Sequence, residues 1–417
     1  MTRTAWCLVS LGVLLLLTVW SLWDYVTLWC GHWRPSPVQP LLSSEARDGD
    51  WTMWRGNAQR TGVQAHPGPV PTGQVQWQFA SGASFISSPI AAGDSLYLGD
   101  TKGRLYRLRR SDGSIIWQLE GLGPLDASPA LAGDLLYIGL RDGRLLAIHA
   151  ADGVIGWSVA TGNPIYASPL VYHGVLYIGS GDGVVYALDA ASGTERWRAQ
   201  TAGWIHSSPA LLDDLVYVGS NDGALYFIDR RTGLNRWRYR TPQAIRATPA
   251  IAEGLLLFGG EDGWLRALDA RTLGWRWTYT WRWAHATLFV WGFTGPPPPL
   301  PGFRWQYHAN APLVASAAVA HDLVYAASQR GTLTALELRT GTPRWSFAAR
   351  RAIYASPVVA GELLYVASYD QTLSALDARH GTLHWQFTAG GPIHATPVVS
   401  DGRVYVAAMD GVIYALQ

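Results

Sequence analysis

Tryptophan recurs at positions 77, 117, 157, 197, 237 and 277 of this chain, always 40 residues apart, and resumes at 305, 345 and 385. A repeat this regular constrains a fold more tightly than local propensity does, because every copy must fold alike and pack against its neighbours. Within each unit the order of features is constant. A Ser/Thr-Pro step follows the tryptophan by 12 residues (Pro89, Pro129, Pro169, Pro209, Pro249, Pro357 and Pro397, with Ala317 in place of proline once). Then come an "LLYIG"-like apolar run, an Asp-Gly pair, an "LYALDA"-like run, a second turn and the next tryptophan.

The alternation of short apolar runs and turn pairs predicts four strands per unit. For Trp157–Trp197 these are about Ile165–Val171, Leu176–Gly179, Val184–Asp189 and Glu195–Ala199. Asp182-Gly183 is a hairpin pair of the kind that tolerates positive φ at both central positions, and Ser192-Gly193 supplies the next turn. No segment after residue 50 carries a sustained helical period. Four antiparallel strands every 40 residues predict a β-propeller blade.

Eight such steps predict eight blades. The last unit ends at "DGVIYALQ", after its third strand, while a surplus tryptophan strand, "GQVQWQF" around Trp77, precedes the first unit. The economical solution has the Trp77 strand completing the eighth blade and closing the ring.

The segment "ALDAASGTERW" (Ala187–Trp197) resembles the A-x-D-x-x-[TS]-G-x-x-x-W tryptophan-docking repeat of the PQQ-like (pyrroloquinoline quinone repeat, BamB-like) β-propeller family. "ALDARTLGWRW" (Ala267–Trp277) and "ALDARHGTLHW" (Ala375–Trp385) follow it with small lapses, and "WTMWRGNAQRTGV" (Trp51–Val63) resembles the family's lead-in. The resemblance covers roughly residues 51–417 and implies that Trp77, Trp117, Trp157, Trp197, Trp237, Trp277, Trp305, Trp345 and Trp385 wedge flat between blades. A WD40 propeller fits the period, but no blade ends in Trp-Asp. The family's catalytic members, quinone-dependent dehydrogenases, resemble larger chains with a vicinal cysteine pair and a calcium-binding acid set. Here no cysteine follows Cys30, and no Asp/Glu/Asn cluster stands outside the repeat slots. The expectation is therefore a chain that is not an enzyme, with no cofactor and no metal.

Two parts of the chain escape the period. At the N-terminus, Ala5–Trp23 runs 19 residues without a charge, close to the roughly 20 needed to cross a bilayer, with Trp20, Trp23, Tyr25 and Trp29 gathered at its far end. No A-x-A-like cleavage site follows, and Trp29 occupies the place before Cys30 where a lipoprotein needs a small residue. Residues 1–30 are expected to be a membrane anchor, with a cleaved signal as the rival, and 31–50 a tether to a propeller outside the cytoplasm. The second irregularity is the 28-residue step from Trp277 to Trp305. It carries Trp281, Trp283, Phe289, Trp291 and Phe293 before the run Pro296–Pro299. We expect this insertion, 278–304, between the outer strand of one blade and the inner strand of the next, on the face of the Asp-Gly turns. There it either covers the channel, packs as an extra hairpin, or offers an apolar patch to a partner or the bilayer.

One slot in the repeat changes from blade to blade while its neighbours hold. Three residues before the proline stand Ile86, Asp126, Tyr166, His206, Arg246, Val314, Tyr354 and His394. In a closed propeller these eight form a ring around the central channel. Asp126, Tyr166, His206, Arg246, Tyr354 and His394 are thus the candidate ligand-binding residues, the bland reading being a wet tunnel lining. Lys+Arg total 32 against 30 Asp+Glu, so no basic field argues for nucleic acid. Two function classes follow: a monomeric envelope scaffold that binds other proteins, or a sensory propeller that binds a glycan or small anion at the channel mouth.

Overall fold

The computed structural model describes residues 49–274 and 278–417. The apolar run Ala5–Trp23, the tether as far as residue 48, and Trp277 lie outside the described residues. Among the described residues no helix is long and apolar enough to cross a membrane.

Eight antiparallel sheets of four strands succeed one another along the chain, and each is one blade. In the third blade the strands are Leu170–Tyr172, Val175–Gly179, Val184–Asp189 and Glu195–Gln200, from the channel outward. The inner three strands are almost wholly buried. The outer strand alternates exposed and covered residues, as an edge facing water on one side should. In the eighth blade Val75–Ala80 pairs with Val412–Leu416, Trp77 opposite Ala415, so the N-terminal strand completes the C-terminal blade as expected.

The docking of the tryptophans repeats at six seams of the ring, while Trp345 rests on Gly381 with its Nε1–H unpaired. Trp157 donates its Nε1–H to the Ala190 carbonyl of the next blade at 3.1 Å, and its ring lies on Gly193. Gly193 is at φ +72°, and a Cβ there would stand 2.8 Å from the indole. Only glycine satisfies both constraints. The same pair is made by Trp77 with Arg110 and Gly113, and by Trp305 with Leu338 and Gly341. Trp385 finds its turn in Pro71 and Gly73, which precede the closing strand.

The Ser/Thr of each Ser/Thr-Pro step has a separate task. The Ser88 N–H donates to Ser128 Oγ, the Ser128 N–H to Ser168 Oγ, and so on through Ser208, Thr248, Ser316, Ser356 and Thr396. The Thr396 N–H then returns to Ser88 Oγ. Eight buried N–H groups are satisfied by eight hydroxyls in a closed circuit, with distances from 2.8 to 3.2 Å.

The lead-in runs inside the propeller. Trp51 exchanges backbone hydrogen bonds with Ala91 of the first blade, and the Thr52 carbonyl accepts from Leu131 of the second. Farther on, the carbonyls of Ala58, Gln59, Thr61 and Gly62 accept from Leu211, Ile251, Val319 and Val359. Val63–Gln64 adds a short parallel strand to Val358–Ala360, and Gln64 Nε2 reaches the Val399 carbonyl of the eighth blade. Arg60 donates to the Pro169 and Pro209 carbonyls at 3.0 Å each, and Arg55 to the Ser316 and Ala317 carbonyls. The segment from Trp51 to Gln64 therefore touches the inner strand of every blade and closes the channel. Gly49 and Asp50, assigned to the tether, already belong to this packing: the Gly49 carbonyl accepts from Gln64 and Ser400, and Asp50 from the Gly93 N–H.

Arg55 and Arg60 are fully buried and, among the described residues, face no carboxylate. Burial brings both guanidiniums down to about 9, and the charge of Arg60 adds to the effect at Arg55. They remain charged at neutral pH because carbonyl oxygens take the place of solvent.

The insertion departs from expectation in place and in structure. Trp305 pairs with Ala267, so Phe303–His308 is the outer strand of the fifth blade. The extra residues thus lie within that blade, between its third and outer strands, not between blades. By strand order they leave from the face opposite the Asp-Gly turns. The spacing explains why: Trp305, not Trp277, stands 12 residues before the next inner-strand step at Ala317, as in every other unit. The insertion also holds a helix, Thr278–Val290, where no helical period was read. Aromatic residues occur all around it, and a helix that buries no stripe leaves no period in its sequence.

Candidate functional site

The eight variable positions end up where the repeat places them, at the Asp-Gly end of the channel just before each inner strand. The apolar residue before each one is fully buried, Leu125, Ile165, Ile205 and Ile245 among them. In five blades that residue packs on the glycine ending the previous blade's second strand; a Cβ at Gly139 would come 2.2 Å from Ile165. This lock fixes the backbone, so the following side chain must enter the channel mouth. The lead-in closes the channel below. The mouth is therefore floored by the lead-in.

Sequence reasoning missed a second ring that supports the first. Fifteen residues after each mouth position, immediately before the Asp-Gly-type pair, stand Thr101, Arg141, Gly181, Asn221, Glu261, Gln329, Tyr369 and Met409. Their backbones are fixed by bonds such as Asn221 N–H to the Trp204 carbonyl and Tyr369 N–H to the Ala352 carbonyl. Their side chains answer those of the mouth. Arg141 pairs with Asp126 at 3.1 Å, Glu261 with Arg246 at 3.1 Å, and Tyr369 packs on Tyr354 with centroids 4.7 Å apart. The signal was present in the sequence: this slot varies between blades in step with the mouth slot.

Flat groups line the mouth in two stacks. Tyr166 and His206 lie 4.7 Å apart and 16° from parallel, with Arg141 over Tyr166 on one side and Trp204 6.3 Å from His206 on the other. Across the mouth, Tyr354 and His394 stack at 5.7 Å and 17°. Burial holds both imidazoles below their ordinary value of 6.5. At His206 the charge of Arg246 adds to this and Asn221 opposes it; at His394 the Ile86 backbone and Asp126 oppose it. Burial raises the Asp126 carboxyl, against the pull of Arg141 and His394. Three buried polar atoms here have no hydrogen-bond partner: Asp126 Oδ1, His206 Nδ1 and Asn221 Oδ1.

The insertion forms a second candidate surface. Its helix is held at its start, where Tyr279 Oη accepts from the Arg240 N–H on the outer strand of the fourth blade at 2.7 Å. Its return limb is held by Leu300, packed beside Leu212, Leu215 and Phe303. Between these anchors only Thr278 of the helix is buried. Trp283 is 71% exposed, Val290 82%, Trp291 73% and Phe293 70%, with Trp281 and Phe289 nearly half exposed.

A family model described as outer membrane protein assembly factor BamB matches residues 57–119, 119–203, 181–290, 302–391 and 364–417. The chain belongs to this PQQ-like propeller family. Among solved structures, BamB from Moraxella catarrhalis superposes with a TM-score of 0.66 at 20% identity, over 82% of this chain and 97% of that one. A europium-containing methanol dehydrogenase reaches 0.70 at 15% identity, covering 87% and 90% of the two chains. The quinohemoprotein alcohol dehydrogenase of Comamonas testosteroni reaches 0.69 at 16%, covering 89% and 81%. No curated protein sequence matches. These likenesses describe a shared PQQ-like fold, which hosts both enzymes and non-enzymes.

The mouth does not fit the quinone and calcium that the family's catalytic members imply. Its two acids, Asp126 and Glu261, are each taken by an arginine, and among the described residues no cluster of three His, Cys, Asp or Glu could hold a metal. No cysteine follows Cys30 to form a vicinal pair.

Proposed function

We propose that this PQQ-like propeller is a non-catalytic scaffold of the cell envelope, held outside the cytoplasm by the apolar run Ala5–Trp23, and that the rim insertion docks other envelope proteins. The insertion carries this reading. Its exposed aromatic residues lie between two anchors, and a run of large exposed aromatic rings is favourable only when covered. No acidic residue occurs between 275 and 304, so a partner is met by indole and phenyl rings with Arg282 and His285 beside them. The BamB-like family membership supports an interaction role; the sequence around Cys30 gives no ground for extending it to outer-membrane assembly.

The topology defines a clean variant. Replacing residues 273–301 by one glycine restores the eleven-residue spacing from Ala267 to Trp305 that Ala187–Trp197 shows. Crosslinked complexes purified from membranes should lose specific partners in this variant while its melting temperature stays near wild type. An unchanged partner set would refute the docking role. Dye-linked oxidation of alcohols or sugars after addition of PQQ and calcium should be absent, and activity would refute the non-catalytic reading.

A further inference from the structure

The mouth has an asymmetry that neither the scaffold role nor the repeat explains. In the second ring the third blade carries Gly181, where its neighbours carry Arg141 and Asn221. The third blade thus contributes no side chain to this ring. The groups bordering this gap are Asp126 and Arg141 on the second blade, Tyr166 on the third, and His206, Asn221 and Trp204 on the fourth. All three buried polar atoms of the mouth without a well-formed hydrogen bond belong to this border, where the Asn221 side chain also acts on His206. Across the mouth, Tyr354, Tyr369 and His394 pack on one another, and none of them has an atom of this kind.

The chemistry of those atoms limits what can satisfy them. Asp126 Oδ1 is the carboxylate oxygen that Arg141 does not take, and Asn221 Oδ1 is an amide carbonyl; both only accept. A neutral imidazole nitrogen either accepts or donates. The border therefore calls for donors, which excludes phosphate, sulfate and carboxylate ligands: they bring acceptors only, and both mouth arginines already face acids. Charge excludes a cation in turn. Asp126 is balanced by Arg141, Glu261 by Arg246, and burial keeps His206 and His394 uncharged near neutrality. The ligand is neutral and rich in hydroxyl or amide N–H groups.

It also has a flat apolar face. Trp204 is 52% exposed and forms the outer end of the stack from Arg141 through Tyr166 to His206. A solvent-facing indole beside buried acceptors suits a ring with C–H groups on one face and hydroxyls at its edge. Acceptors on two blades, either side of Tyr166, require more than one such ring. We propose that the gap over the third blade is a binding site for a neutral oligosaccharide, stacked on Trp204 and hydrogen-bonded to Asp126, His206 and Asn221. This site shares no residue with the rim insertion, so the two roles stand or fall separately.

The test uses the full chain in a detergent without a sugar headgroup. An array of neutral glycans is screened, with maltotriose, cellotriose and triacetylchitotriose as soluble calorimetric probes and a sulfated glycan as the anionic arm. A neutral glycan should bind, and Trp204→Ala and Asn221→Ala should each weaken it about tenfold or more. Trp204→Ala should melt as wild type does, since its indole is half exposed, and Asn221→Ala should lose no more than its side-chain contact with His206. Replacing the rim insertion by one glycine should leave the affinity unchanged. Absence of binding to every neutral glycan at millimolar concentration, binding undiminished in both variants, or preference for the sulfated chain would each overturn the proposal.

Discussion

Trp77 and Trp157 are structural twins at different seams, which makes the closure of the ring measurable. Each is half-buried in an outer strand, each rests on a glycine of the next blade, and each faces a tyrosine, at 6.0 and 5.9 Å. Trp77 donates to the Arg110 carbonyl at 2.9 Å and Trp157 to the Ala190 carbonyl at 3.1 Å. Truncating a buried tryptophan to alanine costs about 3–5 kcal/mol. For a half-buried ring about half of that applies, and the lost Nε1–H bond adds about 1 kcal/mol. Both substitutions should therefore remove about 3 kcal/mol, a factor on the order of 100 in a local opening equilibrium. The consequences should differ in place. The strand Val75–Ala80 is joined to Val412–Leu416 by pairing alone. Hydrogen exchange in Trp77→Ala should therefore accelerate by about two orders of magnitude at residues 412–416, with the third and fourth blades protected as before. In Trp157→Ala the strand is continuous with blades on both sides, so no comparable local opening should appear at 155–160. Identical exchange patterns in the two variants would refute the idea that closure rests on this seam.

The hydroxyl circuit predicts that Ser208→Ala, which leaves the Ser168 N–H buried and unpaired, costs about 1–3 kcal/mol in thermal or urea unfolding, whereas Ser208→Thr is close to neutral because Thr248 and Thr396 already serve in the circuit. A loss of equal size in both variants would contradict it. At the mouth, His206 and His394 have folded-state values below 6.5, so the unfolded chain binds more protons as the solution is acidified. Their contribution to stability is complete above 6.5 and is lost as pH falls from there through the depressed values. Melting temperature should fall on acidification below pH 6.5, and the slope should flatten in the His206→Asn, His394→Asn double variant; imidazole NMR midpoints above 6.5 would refute this.

The architecture was legible in the sequence because every blade is a copy, and copies reveal a register. The strand around Trp77, the docking tryptophans and the mouth ring were all found by comparing equivalent positions. What the sequence hid is what occurs once. Arg55 and Arg60 have no counterparts in other blades, so nothing marked the lead-in as the channel's filling. The helix Thr278–Val290 buries no stripe, so its turns left no period. The second ring was overlooked for another reason. Residues such as Asn221 and Glu261 sit beside Asp-Gly turns, where variation reads as surface freedom until the side chains are seen meeting His206 and Arg246.

The lead-in also orders events in time. Residues 51–64 leave the ribosome before any blade exists, yet their partners are spread from Ala91 to Val399. A chain stopped short of the eighth blade has no Val399 for Gln64 and no strand for Trp77, so residues 51–64 stay partly unsatisfied. A segment made before every blade is thus among the last to be fully placed. Such long separations slow folding, and they tie the completed ring to the presence of its eighth blade.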